Sequence, residues 1–253
     1  MPGKLLIYTA RQAAIISSFA GAPGISPANP LSKNMLKVLY EDNHLIAVEK
    51  SAGVLVQGDK TGDVCLMDEV KDYLKKKYQK SGNVFLGLLH RLDRPVSGIV
   101  LFAKTSKGAS RLSEQFREHQ IEKTYNAIVV GKLKENRGVL IDRLQKDIDK
   151  KRATISKKSE GKKAELSYKV ISSNSKFSLL EIKTQTGRFH QIRAQLAAIG
   201  YPVLGDIKYG APFALPDKSI ALSAVSISFQ TPTTKEKKEI SIAIPAQWHS
   251  MLK

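Results

Sequence analysis

The sequence predicts an α+β fold: one mixed, mainly antiparallel sheet with flanking helices. Three observations carry that expectation. Short apolar runs of strand length recur along the chain and end at turn residues. A few segments repeat apolar residues at helical spacing instead. The two kinds interleave without a regular strand–helix repeat, and the length of 253 residues suits one large domain or two small ones.

The elements follow in chain order from Leu36. Residues 36–40 and 45–49 are short apolar runs separated by Asp42-Asn43, a hairpin signal. Leu66, Val70, Tyr73 and Leu74 recur at helical spacing, and Lys71, Lys75, Lys76 and Lys80 give that helix a basic flank. Residues 84–89 and 99–103 read as strands inside the sheet, joined by the polar stretch 90–98. Ala109, Leu112 and Phe116 mark a second helix, and residues 123–130 form a β-rich run ended by Gly131. Residues 137–169 hold eleven Lys or Arg against five Asp or Glu and show little periodicity. They are expected to form a long basic hairpin or loop, or a plain solvated insertion. Residues 168–171 and 178–184 read as strands. A helix then begins after Thr186-Gly187, carries Ile192, Leu196 and Ile199 as its stripe, and stops at Gly200 and Pro202. Residues 221–229 and 239–244 form a last strand pair around a lysine-rich turn.

Composition bounds the function. Lys and Arg number 41 against 23 Asp and Glu, a formal charge of +18, which favours a polyanionic partner such as nucleic acid over a merely soluble basic surface. A hydrophobic share of 42% excludes wholesale disorder. The single cysteine, Cys65, excludes an internal disulfide and a cysteine-rich zinc site. No apolar stretch reaches membrane-spanning length. Residues 1–34 contain no acid and are rich in Ala, Ser, Gly and Pro. They are expected to be a disordered extension. An organelle transit peptide is the weaker alternative, and a secretory signal weaker still, because Arg11, Ser17 and Ser18 interrupt the apolar centre. The domain proper is expected over residues 35–253, in the cytoplasm.

Familiar catalytic signatures are missing. There is no Walker loop and no dinucleotide fingerprint, the five histidines lack metal spacing, and Ser97, His190 and Asp93 come without a nucleophile elbow. The densest chemistry lies in His90-Arg91-Leu92-Asp93-Arg94-Pro95-Val96-Ser97-Gly98. A carboxylate between two buried strands is costly without compensation, and Arg91 and Arg94 flank Asp93. Such a loop serves equally as an ion-paired anchor or as a site. A second cluster, Thr186-Gly187-Arg188-Phe189-His190-Gln191-Ile192-Arg193, opens a helix, where free N–H groups suit anions. His190 and Arg193 are three apart and share a helix face, so Arg193 runs along the core edge toward any buried carboxylate. In Lys123-Thr124-Tyr125, alternation puts Tyr125, Ala127 and Val129 on one strand face, where a tyrosine is by default a packing residue.

Together these motifs resemble the RluA-type RNA pseudouridine synthases. The likeness covers residues 90–104, 123–127 and 186–193, then Gly200-Tyr201-Pro202-Val203-Leu204-Gly205-Asp206 with Tyr209-Gly210. It implies the pseudouridine synthase fold and a cofactor-free, metal-free isomerase, a monomer acting on ribosomal or transfer RNA. By the same resemblance Asp93 is the catalytic carboxylate, Tyr125 lies against the target base, Arg193 pairs with Asp93, and Arg91 enters the RNA stack. Arg94, Arg188 and His190 are further RNA-binding candidates. The chemistry agrees. Moving carbon 1′ of the sugar from a ring nitrogen to ring carbon 5 needs no redox group or donor. It needs one ionised carboxylate, either as nucleophile or as base toward a sugar proton, and a uridine lifted out of its stack at a cost of a few kcal/mol.

The sequence departs from the resembled pattern at several places. Val96 and Phe189 stand where threonine is common, Gln195 and Ser223 where histidine is common, and Ser51 where proline is usual. Two rival functions remain: a non-catalytic RNA-binding or ribosome-assembly protein that keeps the fold, and an RNA hydrolase. The hydrolase lacks a second carboxylate near Asp93 in sequence.

Overall fold

A computed structural model describes residues 36–156 and 160–252, so the extension expected over 1–34 lies outside the described residues. The chain begins with the expected hairpin, β1 (Lys37–Glu41) and β2 (Leu45–Lys50). Asp42 closes it, its carboxylate accepting from the backbone N–H of His44 and Leu45 at 2.7 and 2.6 Å. Helix α1 (Leu66–Lys77) buries Leu66, Val70 and Leu74 as its spacing predicts. Asp68 accepts from the Cys65 N–H at its start, and Lys75, Lys76 and Lys77 suit the dipole at its end.

The strand expected over 84–89 shrinks to the two residues of β3 (Gly87–Leu88), and Phe85 is exposed. Its neighbour β4 (Ser97–Ala103) explains this. One β4 edge is filled by β2, while the other pairs with β10 (Leu222–Gln230) at Ser97 and Gly98, leaving only Phe102 and Ala103 for β3. Between those two pairings the Leu101 N–H donates to His90 Nε2 at 3.0 Å. Helix α2 (Ser106–Arg117) starts at Thr105, whose hydroxyl accepts from the Gly108 N–H.

Strand β5 (Glu122–Val130) follows, then β6 (Arg137–Asp147), β7 (Arg152–Ile155), β8 (Lys162–Ser173) and β9 (Phe177–Thr184). Of the alternatives expected over 137–169, the long basic hairpin is the one that forms, β6 pairing antiparallel with both β7 and β8. Its periodicity is weak because apolar residues fall on both faces of β6: Leu144 is buried while Val139 and Ile141 are each 60% exposed. Helix α3 (Gln191–Ala198) buries Ile192 and Leu196, but Ile199, expected on the stripe, is the exposed residue that ends it. The chain closes through β10, β11 (Lys237–Ser241) and the short α4 (Trp248–Met251).

The described strands join one sheet in the order β1-β2-β4-β10-β5-β9-β8-β6-β7, with β3 on β4 and β11 on β10. Among the described residues every strand pairing is antiparallel except β4 with β10. One sheet face buries Ile46, Val48, Val100, Ala127, Val129 and Ile182 with residues of α1 and α3. The opposite face packs Leu45, Ile99, Leu101 and Phe229 against Leu112 and Phe116 of α2. Through this topology the loop before β4 meets the start of β5, the end of β9 and the start of β10.

Candidate active site

The polar loop 90–96 is fastened from behind by its backbone. The Arg94 carbonyl accepts from the Gly53 N–H at 2.8 Å and the Pro95 carbonyl from the Ile220 N–H at 3.2 Å. Lys50, fully buried, adds a third tie: its ammonium donates to the carbonyls of Ser51, Val54 and Arg94 at 3.0, 2.7 and 3.1 Å. Those three bonds use every donor the group has. Burial pushes its pKa down to about 7, with nearby Asp93 pulling up and Arg94 pushing down.

The opposite wall is the turn into α3. Thr186 and Gln191 lock it to β8: the Thr186 hydroxyl accepts from the Glu165 N–H at 2.9 Å and donates to Gln191 Oε1 at 2.7 Å. Gln191 Oε1 also accepts from the Arg188 N–H, and its Nε2 donates to the Glu165 carbonyl, both at 3.0 Å. His190 then sits in the left-handed region at φ 51° and ψ 27°, just before the helix rather than on its face. A non-glycine residue held there is strained, and such strain gathers at functional sites.

The two walls meet at an ion cluster. Arg193 donates from Nη1 to Asp93 Oδ2 at 2.8 Å, and grips Asp206 with Nε and Nη2 at 2.6 and 2.9 Å. Asp206 is 1% exposed, the Asp93 side chain 26%. Burial opposes the Arg193 charge, but the bonds to Asp206, then the pull of Asp93, outweigh it and raise the pKa. Asp206 thus takes two of the guanidinium's bonds and Asp93 one. Asp93 Oδ1 has no hydrogen bond among the described residues and stays available to a substrate. His190 Nε2 lies 3.5 Å from Asp93 Oδ2, and its Nδ1 is 3.0 Å from the Tyr209 hydroxyl. Burial pushes the His190 pKa down to about 4 despite Asp93, so the ring is neutral at pH 7. Tyr209 stacks under the Arg193 guanidinium at 5.0 Å and anchors to the Ala153 backbone.

Between the walls opens a cleft continuous with solvent. Asp93, Tyr125, His190 and Arg193 line it, with Leu92, Val96, Ile192 and Leu222 as its apolar bed. Burial first, and the Asp93 charge second, raise the Tyr125 pKa, so its phenol is neutral at pH 7. Arg91 lines the cleft, exposed, with one bond to Gln57 Oε1 at 3.2 Å. Arg188 lines it too and donates to the Lys163 carbonyl at 2.9 Å. Arg94 turns elsewhere: it bonds the Gly53 carbonyl and pairs with Asp63 at 2.8 Å, outside the cleft lining. His190, taken with the RNA-binding group in the sequence, is 8% exposed and belongs to the ion cluster. Asp206, Tyr209, Thr186 and Gln191 all stood in the quoted motifs and Lys50 beside Ser51, but their roles rest on contacts that no local spacing shows. Among the described residues there is no group of His, Cys, Asp and Glu fit to hold a metal.

Residues 44–198, which contain both walls, match the model of the RNA pseudouridylate synthase family. The chain belongs to that family. It is an isomerase acting on RNA. It is 32% identical over 85% of its length to tRNA pseudouridine synthase C of Vibrio parahaemolyticus, covering 93% of that relative. It is also 32% identical over 85% of its length to tRNA pseudouridine synthase C of Haemophilus ducreyi, covering 94% of it. In fold it is similar to human RNA pseudouridylate synthase domain containing 4, with a TM-score of 0.71 at 24% identity, over 84% of this chain and 90% of that one.

Proposed function

We propose that this enzyme converts uridine to pseudouridine in transfer RNA, with Asp93 as the catalytic carboxylate. The observation that carries the reading is the placing of Asp93 at the cleft floor, charge-paired to Arg193 through one oxygen and open at the other, with Tyr125 beside it. The uridine enters with its ribose over Asp93 and its base on the Tyr125–Leu222 bed. The bond from carbon 1′ to N1 breaks, the uracil turns, and carbon 5 bonds to carbon 1′. The proton on carbon 5 then leaves and N1 gains one. Asp93 serves either as nucleophile at carbon 1′ or as base toward a sugar proton. Neutral Tyr125 is a bed and a hydrogen-bond donor, while His190 and Arg193 hold the carboxylate in place. Exposed Arg91 fills the space that the everted base leaves. The reaction is an internal rearrangement with no redox change, so the reading assigns no cofactor. It places the enzyme in the cytoplasm as a monomer.

Transfer RNA is chosen over ribosomal RNA because the relatives named tRNA pseudouridine synthase C are covered over nearly their whole length. Tritium on uracil carbon 5 reports the reaction, because that hydrogen is released to water. Wild-type protein is expected to release it from tRNA transcripts and Asp93→Asn to release none. Release from ribosomal transcripts alone moves the substrate assignment. Equal release by wild type and Asp93→Asn, or none by wild type from any RNA, overturns the catalytic reading.

A further inference from the structure

Phe189 stands between two cleft-lining residues, Arg188 and His190, yet does not line the cleft itself. The residue is 41% exposed, an unusual placement for a large aromatic that packs into no core cluster. One face is not idle: it stacks on the His190 ring at 3.8 Å between centroids and 20° between planes. His190 in turn contacts Asp93, so the phenyl ring is one ring removed from the site of chemistry. Lys146, exposed on β6, reaches over the Phe189 ring with Nζ 5.2 Å from its centroid. The left-handed backbone at His190 fixes this arrangement by turning the chain back on itself at the rim.

An exposed aromatic ring, backed on one side by a second ring and bordered by cations, is what single-stranded nucleic acid binds: the base stacks on the ring and the cations take the phosphates. We propose that Phe189 is a stacking platform for the nucleobase adjacent to the target uridine, with Lys146 and Arg188 holding the flanking backbone. The inference rests on the RNA pseudouridine synthase reading and narrows its substrate class. A nucleotide stacked on Phe189 cannot stay in a helix, so the preferred target uridine lies in an unpaired loop with an unpaired neighbour. Because Lys146 is long and exposed, it swings aside when the base arrives and keeps its charge near the phosphate.

The test is binding, read apart from catalysis. The probes are two short RNAs with one uridine among cytidines, carrying 2-aminopurine immediately 5′ or immediately 3′ of that uridine. Stacking quenches the 2-aminopurine. Wild type and Phe189→Tyr are expected to quench one of the two probes. Phe189→Thr and Phe189→Leu are expected to quench neither and to bind about tenfold more weakly, in the range for loss of one base–aromatic stack. Using two non-aromatic replacements keeps the comparison if one disturbs the fold. On tRNA the same loss appears in KM, with kcat unchanged and Tyr restoring both. Quenching by Thr and Leu variants equal to wild type, or no quenching by wild type at either position, overturns the platform. A fall in kcat that Tyr does not rescue also overturns it, since that marks a purely supporting role beneath His190. Quenching that depends on Phe189 in a protein releasing no tritium from any RNA leaves the platform standing and sinks the catalytic reading instead.

Discussion

Two imidazoles show how burial assigns roles residue by residue. His90 accepts the Leu101 N–H and lies against Phe116, and burial pushes its pKa down to about 3 from 6.5. His190 is pushed down to about 4 in the same way. Both rings take up a proton more readily in the unfolded chain, so stability falls as pH drops from about 6.5 toward 4. The half-buried carboxylate Glu41 acts lower down. Burial alone would raise its pKa, but bonds from Lys104 and Lys77 outweigh that and hold it at about 2, so its contribution is lost only between 4.5 and 2. The urea midpoint is therefore expected to decline between about pH 6.5 and 5, and His90→Gln, which keeps an acceptor for Leu101 but does not titrate, to decline less. An unchanged slope in that variant assigns the decline to other groups. At this scale residue types marked Asp93 as a carboxylate that needs a cation, and it was the family resemblance that named Arg193 as its partner. Neither exposed Asp206, whose claim on the same guanidinium comes from a turn thirteen residues beyond Arg193.

Among the elements, the junction of β4 and β10 matters most, because the loop bearing Asp93 runs straight into β4. Gly98 has φ +120°, and a Cβ there would lie 2.3 Å from the Ala224 carbonyl oxygen and 2.4 Å from its nitrogen. No side chain can yield, since both atoms are backbone. Gly98→Ala is expected to cost at least about 2 kcal/mol, the strain of an unfavourable φ plus displacement of β10. Activity should fall even where the fold survives, because β10 carries Leu222 of the cleft bed. A thermal melt with the tritium assay checks both, and a variant matching wild type in each removes the junction from the argument. Strands that read as short apolar runs and helices with one buried face were legible: β1, β2, β9, α1 and α2 fall where the patterns put them. β6 was not, since its exposed Val139 and Ile141 mimic core residues, and β3 was not, since its length is set by how much of β4 is free.

Over the whole molecule the +18 charge is the dominant long-range property, and it acts on RNA phosphates irrespective of base. RNA affinity is expected to fall linearly on a log–log salt plot, with a slope near −0.7 for each phosphate neutralised on a single strand. Exposed Arg91 and Arg188 lie at the cleft, so Arg91→Ala and Arg188→Ala should each flatten the slope by roughly one contact's worth. Arg94→Ala should leave the slope as it is, because that side chain is engaged with Gly53 and Asp63. Filter binding across a salt series separates the three, and a slope change confined to Arg94→Ala reverses the assignment.

By itself the sequence determined the fold class, the family resemblance, the basic character and the carboxylate with its counter-ion. Fold class, basic character and the carboxylate's need for a cation follow from residue type and spacing, whereas Arg193 as that cation came with the resemblance. Only the tertiary structure decided that Asp206 shares Arg193, that Lys50 braces the loop from behind, that Arg94 faces away, and that His190 is neutral and supports Phe189. Most of these depend on which distant segments a crossed strand order brings within about 3 to 4 Å, and the local chain does not encode that neighbourhood.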